Sequence, residues 1–110
     1  MESKITKYDN AIVINFSGDI DLQSSPEARK VLLKYVSDKK TILVDLSKVE
    51  YIDSSGIASL VEALQTSRKE GSNLFLVEVS EAASRVLELA RLDKVFKIFT
   101  TIEEALKASQ

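Results

Sequence analysis

The chain has 110 residues, of which 45% are hydrophobic and 29% are charged, and it contains neither cysteine nor histidine. This length and composition are typical of one soluble domain with a hydrophobic core. Without cysteine and histidine, the chain cannot form disulfides, use a thiol nucleophile or a Ser-His-Asp triad, or bind metal through thiolate or imidazole. The net charge is −2 and the lysines and arginines are scattered, which argues against nucleic acid as a partner.

The N-terminal segment MESKITKYDN is polar and lacks the apolar run of a signal peptide. No later apolar run approaches the ~20 residues that span a bilayer. We therefore expect a cytoplasmic protein with no membrane-inserted segment. Because no repeat, low-complexity segment or linker interrupts the chain, we predict a single domain over residues 1–110.

The first predicted elements are a β-hairpin and a helix. Residues 4–8 and 11–16 are predicted strands because they flank the dipeptide DN, which favours a tight turn. Helical spacing of apolar residues follows, at Ala28, Val31, Leu32 and Tyr35. This helix is expected to begin either at Ser25, as an N-cap before proline, or at Ser24 in a capping box with Glu27.

The central part of the chain predicts a strand, a helix and a second strand. The run TILVDL, residues 41–46, is almost entirely β-branched or aliphatic, as expected for a strand buried on both faces. After the polar segment SKVEYIDSSG, an apolar stripe at positions 57, 60, 61 and 64 predicts a helix that ends at Gly71. The run NLFLVEV, residues 73–79, predicts another buried strand.

The last elements repeat the alternation of helix and strand. Ser80 is the expected N-cap of a helix whose apolar positions are 83, 86, 87 and 90. The run VFKIF, residues 95–99, predicts a short strand. The segment TIEE, residues 101–104, has the S/T-x-x-E pattern of a capping box and predicts a C-terminal helix.

This order of elements predicts the α/β class, with a mixed, mostly parallel sheet of about five strands that includes an N-terminal β-hairpin, and with about four helices. Helical crossovers between parallel strands should be right-handed. Binding groups in such sheets gather at the carboxyl ends of the parallel strands, where the following helices begin. The DSSG motif, residues 53–56, is expected at that edge.

Each residue of the DSSG motif has a local structural interpretation and a functional one. Asp53 can accept N–H bonds at the helix start or position the serine hydroxyl. Ser54 can cap the helix or be a site of chemistry, and Ser55 can be a capping or packing hydroxyl or a competing modification site. Gly56 would be required if a Cβ in the first turn crowded the backbone or an approaching partner.

Three segments carry a family resemblance: GDID at 18–21, VDLSKVEYIDSSGI at 44–57 and ARLDKVFKIF at 90–99. With these segments in this order, the chain resembles the STAS-domain anti-sigma factor antagonists over essentially its whole length. In that family the serine directly after the motif aspartate is phosphorylated by a partner kinase of the histidine-kinase-like ATPase superfamily, and the matching residue is Ser54. The resemblance also implies that a PP2C-like phosphatase restores the serine and that the domain holds no cofactor and no metal.

The resemblance assigns motif and partner-binding roles to further residues, namely Asp53, Ser55, Gly56, Ile57, Asp19 and Asp21. The last two are expected on the loop after the second strand, beside the phosphorylation site, as contacts for the kinase. The family usually follows the motif glycine with leucine and a second glycine, whereas this chain has Ile57 and Ala58. STAS subunits of lipid-transport complexes often have alanine near this point.

The function implied by the resemblance is that of a non-enzymatic partner switch. The unphosphorylated protein would bind an anti-sigma-type serine kinase and release its client, a sigma factor or another regulator, and phosphorylation of Ser54 would abolish binding. One alternative is a STAS scaffold subunit that docks on the ATPase of an ABC-type lipid transporter without phosphorylation. Another is a response-regulator receiver with Asp45 as its phospho-acceptor, although the N-terminal hairpin fits that class poorly.

Overall fold

The computed structural model describes residues 1–109, and its elements follow the predicted order. The strands are Glu2–Lys7 (β1), Ala11–Ile20 (β2), Thr41–Ile52 (β3), Leu74–Val77 (β4) and Lys97–Phe99 (β5). The helices are Ser25–Val36 (α1), Ser54–Lys69 (α2), Glu81–Leu89 (α3) and Ile102–Ala108 (α4). The predicted α/β architecture is thus confirmed, with differences in the bounds of several elements.

The five strands form one sheet in the order β1-β2-β3-β4-β5. The β1 strand pairs antiparallel with β2, and the other neighbours pair in parallel, so the predicted mixed, mostly parallel sheet is confirmed. A response-regulator receiver has a parallel sheet in the order 2-1-3-4-5. Asp45, the acceptor in that interpretation, is buried in β3, and its Oδ1 accepts the Ser47 N–H at 2.9 Å. The topology therefore excludes the receiver interpretation.

The helices cover the two faces of the sheet unequally. The main core lies between the sheet and α1, α2 and α3, and includes Ile14, Leu32, Val44, Leu60 and Leu87. A smaller core lies on the opposite face under α4, and includes Val13, Leu43, Phe75 and Ala105. Because each crossover joins neighbouring parallel strands, right-handed connections place the three connecting helices on the same face.

The β2 and β3 strands extend beyond the hydrophobic runs that predicted them. Beyond Asn15 opposite Asp45, their pairing continues to Ile20 opposite Ile52, across two register shifts. These irregularities interrupt the alternation of apolar and polar residues, so the sequence there resembles a loop. The predicted position of Asp19 on the loop after the second strand is consequently wrong, because Asp19 belongs to β2.

The ends of the helices confirm several capping predictions. Ser80 and Thr101 are N-caps whose side chains accept hydrogen bonds from the third residue of each helix. Gly71 follows α2 with a φ of +74°, a conformation that favours glycine. At α1, however, the N-cap is Ser24 rather than Ser25, and its side chain makes no capping bond. The Ser24 hydroxyl is used instead in the preceding turn.

Candidate functional site

The DSSG motif lies where β3 ends and α2 begins, at the carboxyl edge of the parallel strands. Asp53 is the N-cap of α2, and its Oδ1 accepts hydrogen bonds from the N–H groups of Ser55 at 2.9 Å and Gly56 at 3.1 Å. The Asp53 carbonyl accepts the N–H of Ile57 at 3.0 Å. The capping role predicted for Asp53 is confirmed, and Asp53 thereby occupies N–H groups that an anion could otherwise bind.

The second carboxylate oxygen of Asp53 contacts a different segment. Its Oδ2 accepts the N–H of Leu22 at 3.1 Å, and the Asp53 N–H donates to the carbonyl of Ile20 at 3.2 Å. Leu22 lies in the short turn between β2 and α1. A single aspartate side chain therefore joins this turn to the start of α2, a connection between segments that are 31 residues apart.

Ser54 is the first residue of α2, and its side chain is exposed. Within residues 1–109, its hydroxyl makes no hydrogen bond to another protein group. The local interpretation of Ser54 as the helix cap is wrong, because Asp53 holds that position. Ser55 is half-buried, while Ala58, one turn after Ser54, is exposed. The departure from the family pattern at position 58 therefore adds a methyl group to the surface rather than to the core.

Gly56 and Ile57 face the interior of the domain. A Cβ added to Gly56 would lie 2.6 Å from Ile52 Cγ1 and 2.8 Å from the carbonyl oxygen of Ile20. Glycine at this position is therefore required by crowding within the fold, one of the two reasons considered above. Ile57 is 8% exposed and belongs to the main core. A contribution of either residue to partner binding would act through the position of α2.

The turn that precedes α1 is held by a compact set of hydrogen bonds. Asp21 Oδ1 accepts the N–H groups of Gln23 and Ser24, each at 3.0 Å. The Ser24 hydroxyl accepts the Asp21 N–H at 2.9 Å and donates to the Asp19 carbonyl at 2.8 Å. The Ser25 N–H donates to the Asp21 carbonyl at 2.7 Å. The backbone that carries Leu22 is thus fixed on both sides.

Asp19 and Asp21 line a shallow cavity of about 460 Å³, together with Glu50, Met1 and Gly18. Ser54 does not line this cavity. Asp21 lies in the turn that is bonded to Asp53, whereas Asp19 is an exposed residue near the end of β2. Within residues 1–109, no cluster of histidine, cysteine, aspartate or glutamate side chains is arranged to hold a metal ion. No helix in the same range is long and apolar enough to cross a bilayer.

Comparison with known proteins identifies the family. Residues 2–105 match the family model of the STAS domain. The chain belongs to the STAS-domain family of anti-sigma factor antagonists. This STAS domain is 31% identical over 105 residues to the anti-sigma-F factor antagonist RsfB of Mycobacterium tuberculosis, covering 93% of this chain and 84% of RsfB. It is 28% identical over 94 residues to the anti-sigma-B factor antagonist of Bacillus subtilis, covering 86% of each chain.

The structural comparison agrees with the sequence comparison. The crystal structure of an anti-sigma factor antagonist from Mycobacterium paratuberculosis superposes with a TM-score of 0.88 at 28% identity, covering 98% of this chain and 92% of that one. Anti-sigma factor antagonists of this family are regulators without catalytic activity, and this STAS domain is one of these non-enzymatic proteins.

One residue of the site was not singled out from the sequence. Leu22 is 73% exposed, although its N–H is bonded to the N-cap of α2. The signal in the sequence is a lone leucine in the polar segment DIDLQSS, outside the apolar spacing of the helix that follows. Its link to Asp53 could not be read from the sequence, because it depends on the adjacent ends of β2 and β3.

The hydrogen bonds around Asp21 predict a pH dependence of stability. The N–H of Ser24 is the largest cause that lowers the pKa of the Asp21 carboxyl, aided by the Ser24 hydroxyl and the Gln23 N–H and opposed by desolvation. Because the folded-state pKa lies below the unfolded-state value of about 3.9, the carboxylate stabilises the STAS domain above about pH 4. This stabilisation is lost as the pH falls through the folded-state pKa.

Asp21→Asn should therefore lower the free energy of unfolding at pH 7, where the carboxylate of the parent protein is ionised. The difference in the free energy of unfolding between variant and parent should become smaller as the pH falls toward 3. Urea unfolding of both proteins at pH 7 and at lower pH measures this difference directly. An equal difference at every pH would show that the charge of Asp21 does not stabilise the turn.

Proposed function

We propose that this STAS domain is a partner-switching regulator controlled by phosphorylation of Ser54. Its unphosphorylated form binds an anti-sigma-type serine kinase of the histidine-kinase-like ATPase superfamily and thereby releases the kinase's client, a sigma factor or another regulator. Phosphorylation abolishes this binding, and a PP2C-like phosphatase restores it. The cycle takes place in the cytoplasm.

The geometry of Ser54 is the observation that carries this proposal. Its hydroxyl is exposed on the first residue of a long helix, and the cap of that helix is supplied by Asp53 rather than by Ser54. A kinase can therefore modify the hydroxyl without breaking a bond that holds the fold. The relatives in Mycobacterium tuberculosis and Bacillus subtilis are anti-sigma factor antagonists, which supports an anti-sigma factor as the class of partner.

The residues around Ser54 differ in how far they are exposed to such a partner. Asp19 is exposed, and Asp21, Asp53 and Ser55 are half-buried, so their side chains can contribute to the contact surface. The buried pair Gly56 and Ile57 would support that surface from within the fold. Ser55 is the competing phosphorylation site, and its lower exposure favours Ser54.

Ser54→Ala should remain folded and bind the kinase, but should not be switched off by ATP. The free energy of unfolding should change by no more than about 0.5 kcal/mol, because the substituted hydroxyl is exposed and does not cap α2. The measurement is incubation of the variant with purified candidate kinase and ATP, followed by mass mapping of phosphoserine. Ser55→Ala is the matched control and should gain one phosphate at the parent rate.

Two results would contradict this assignment. If Ser54→Ala gains one phosphate at the parent rate and Ser55→Ala gains none, the acceptor is Ser55. A stable complex with an ABC-type ATPase, with no phosphate on either serine after incubation with kinase, would instead support the scaffold alternative. The scaffold alternative rests on the exposed Ala58, because STAS subunits of lipid-transport complexes often have alanine near this point.

A further inference from the structure

Leu22 presents an apolar side chain to solvent from a backbone that is already fixed. The side chain is 73% exposed, and its N–H is bonded to Asp53 Oδ2. The residues on either side are held by the bonds among Asp21, Gln23 and Ser24. Because this backbone is already ordered, a partner that covers the side chain does not have to order the turn as well. More of the free energy gained by burying the leucine side chain is then retained as affinity.

Leu22 and Ser54 are positioned by the same residue. Asp53 Oδ2 holds the backbone of Leu22, while Asp53 Oδ1 holds the first turn of the helix that begins with Ser54. A partner that reaches the hydroxyl of Ser54 therefore approaches a surface that continues, across one aspartate, to the leucine. Leu89, which is also exposed, is not held by Asp53 in this way and lies at the end of α3.

We propose that Leu22 is an apolar contact for the serine kinase and that Asp53 is the positioning residue that holds this contact beside Ser54. The inference rests on the proposed function, since the kinase is the occupant of this surface. The contact surface then includes a residue outside the DSSG motif, and the second carboxylate oxygen of Asp53 holds that residue in place. Recognition by the kinase then has an apolar component that does not require the serine itself.

Leu22→Ala tests the contact, with Leu89→Ala as the matched control because Leu89 is 80% exposed and lies at the end of α3. Affinity for the purified candidate kinase, measured by isothermal titration calorimetry with the full chain, should fall about tenfold for Leu22→Ala. It should stay within about twofold for Leu89→Ala. Thermal unfolding of Leu22→Ala should match that of the parent protein, since the substituted side chain is largely in solvent.

Asp53→Asn tests the positioning role. An asparagine keeps one acceptor oxygen for the N–H groups of Ser55 and Gly56, but its Nδ2 is a donor and cannot accept the N–H of Leu22. Hydrogen exchange at the Leu22 amide should accelerate, while exchange at the Ser55 amide stays slow. Kinase affinity should fall in Asp53→Asn, and much less in a Leu22→Ala background, because the substitution acts through the leucine.

The outcomes separate this inference from the proposed function. If the unsubstituted protein neither binds a candidate kinase nor is phosphorylated on Ser54, the proposed function fails, and this inference fails with it. If the unsubstituted protein binds and Leu22→Ala binds within twofold of it, only the contact is overturned. The positioning role is overturned if Asp53→Asn lowers kinase affinity equally in the parent protein and in the Leu22→Ala background. It is also overturned if the hydrogen-exchange rate of the Leu22 amide does not change.

Discussion

Phosphorylated Ser54 is expected to lower the affinity for the kinase at least tenfold, which corresponds to about 1.4 kcal/mol, while the domain keeps its fold. A phosphate adds about −1.5 to −2 charge at neutral pH. A charge that remains unpaired in a packed interface can cost several kcal/mol. The effect on binding should therefore exceed the effect on stability.

The start of α2 explains why the phosphate should stay unpaired. A helix N-terminus ordinarily offers free N–H groups to an anion. Here Asp53 already accepts the N–H groups of Ser55 and Gly56, and its carbonyl accepts that of Ile57. The phosphate would also lie next to the Asp53 carboxylate. Its charge is therefore expected to face outward and to disturb a bound partner rather than the core.

Comparison of Ser54→Asp with Ser54→Asn separates charge from bulk, because the two side chains have nearly the same size. Both variants should have the circular dichroism spectrum of the parent protein, and the aspartate variant should bind the kinase more weakly. The authentic phosphoprotein is the decisive sample, since a carboxylate carries less charge than a phosphate. Binding of the phosphoprotein as tight as that of the unmodified protein, or loss of binding only through unfolding, would contradict the mechanism.

Gly56→Ala should destabilise the domain by about 2 kcal/mol, which corresponds to a Tm lower by roughly 10 °C. The added Cβ would overlap Ile52 Cγ1 at 2.6 Å and Ile20 Cγ2 at 2.9 Å, and would lie 2.8 Å from the Ile20 carbonyl oxygen. That oxygen accepts the Asp53 N–H and belongs to the β2 backbone, so it cannot move away without disturbing the site. Thermal and urea unfolding measure the change.

Gly71→Ala serves as the control for this substitution. An added Cβ at Gly71 meets nothing within 4 Å, but the φ of +74° strains any other residue, so the expected cost is about 1 kcal/mol from the backbone alone. Helix propensity by itself would predict that alanine at position 56 is stabilising by about 1 kcal/mol. A Gly56→Ala variant as stable as the parent protein would show that the interior can adjust to the methyl group.

The elements of the fold were predictable because their signals are local. The run at 41–46 is apolar on both faces, and it forms the central strand, where Leu43 and Val44 face opposite cores. The helix caps Ser80 and Thr101 act within three residues of themselves. Ser24 was less predictable, because its hydroxyl bonds backward to the turn rather than forward to the helix.

The amino-acid sequence is sufficient to predict the α/β class, the order of the elements and, through the family motif, the position of Ser54 and its neighbours. These depend on residue patterns within short segments. The local pattern allowed either Asp53 or Ser54 to cap α2, and the structure assigns the cap to Asp53. The crowding of Gly56 by Ile20 and Ile52 and the bond between Leu22 and Asp53 follow only from the folded arrangement. Those relations arise because the ends of β2 and β3 lie side by side, so residues that are distant in the chain compete for the same space and the same hydrogen bonds.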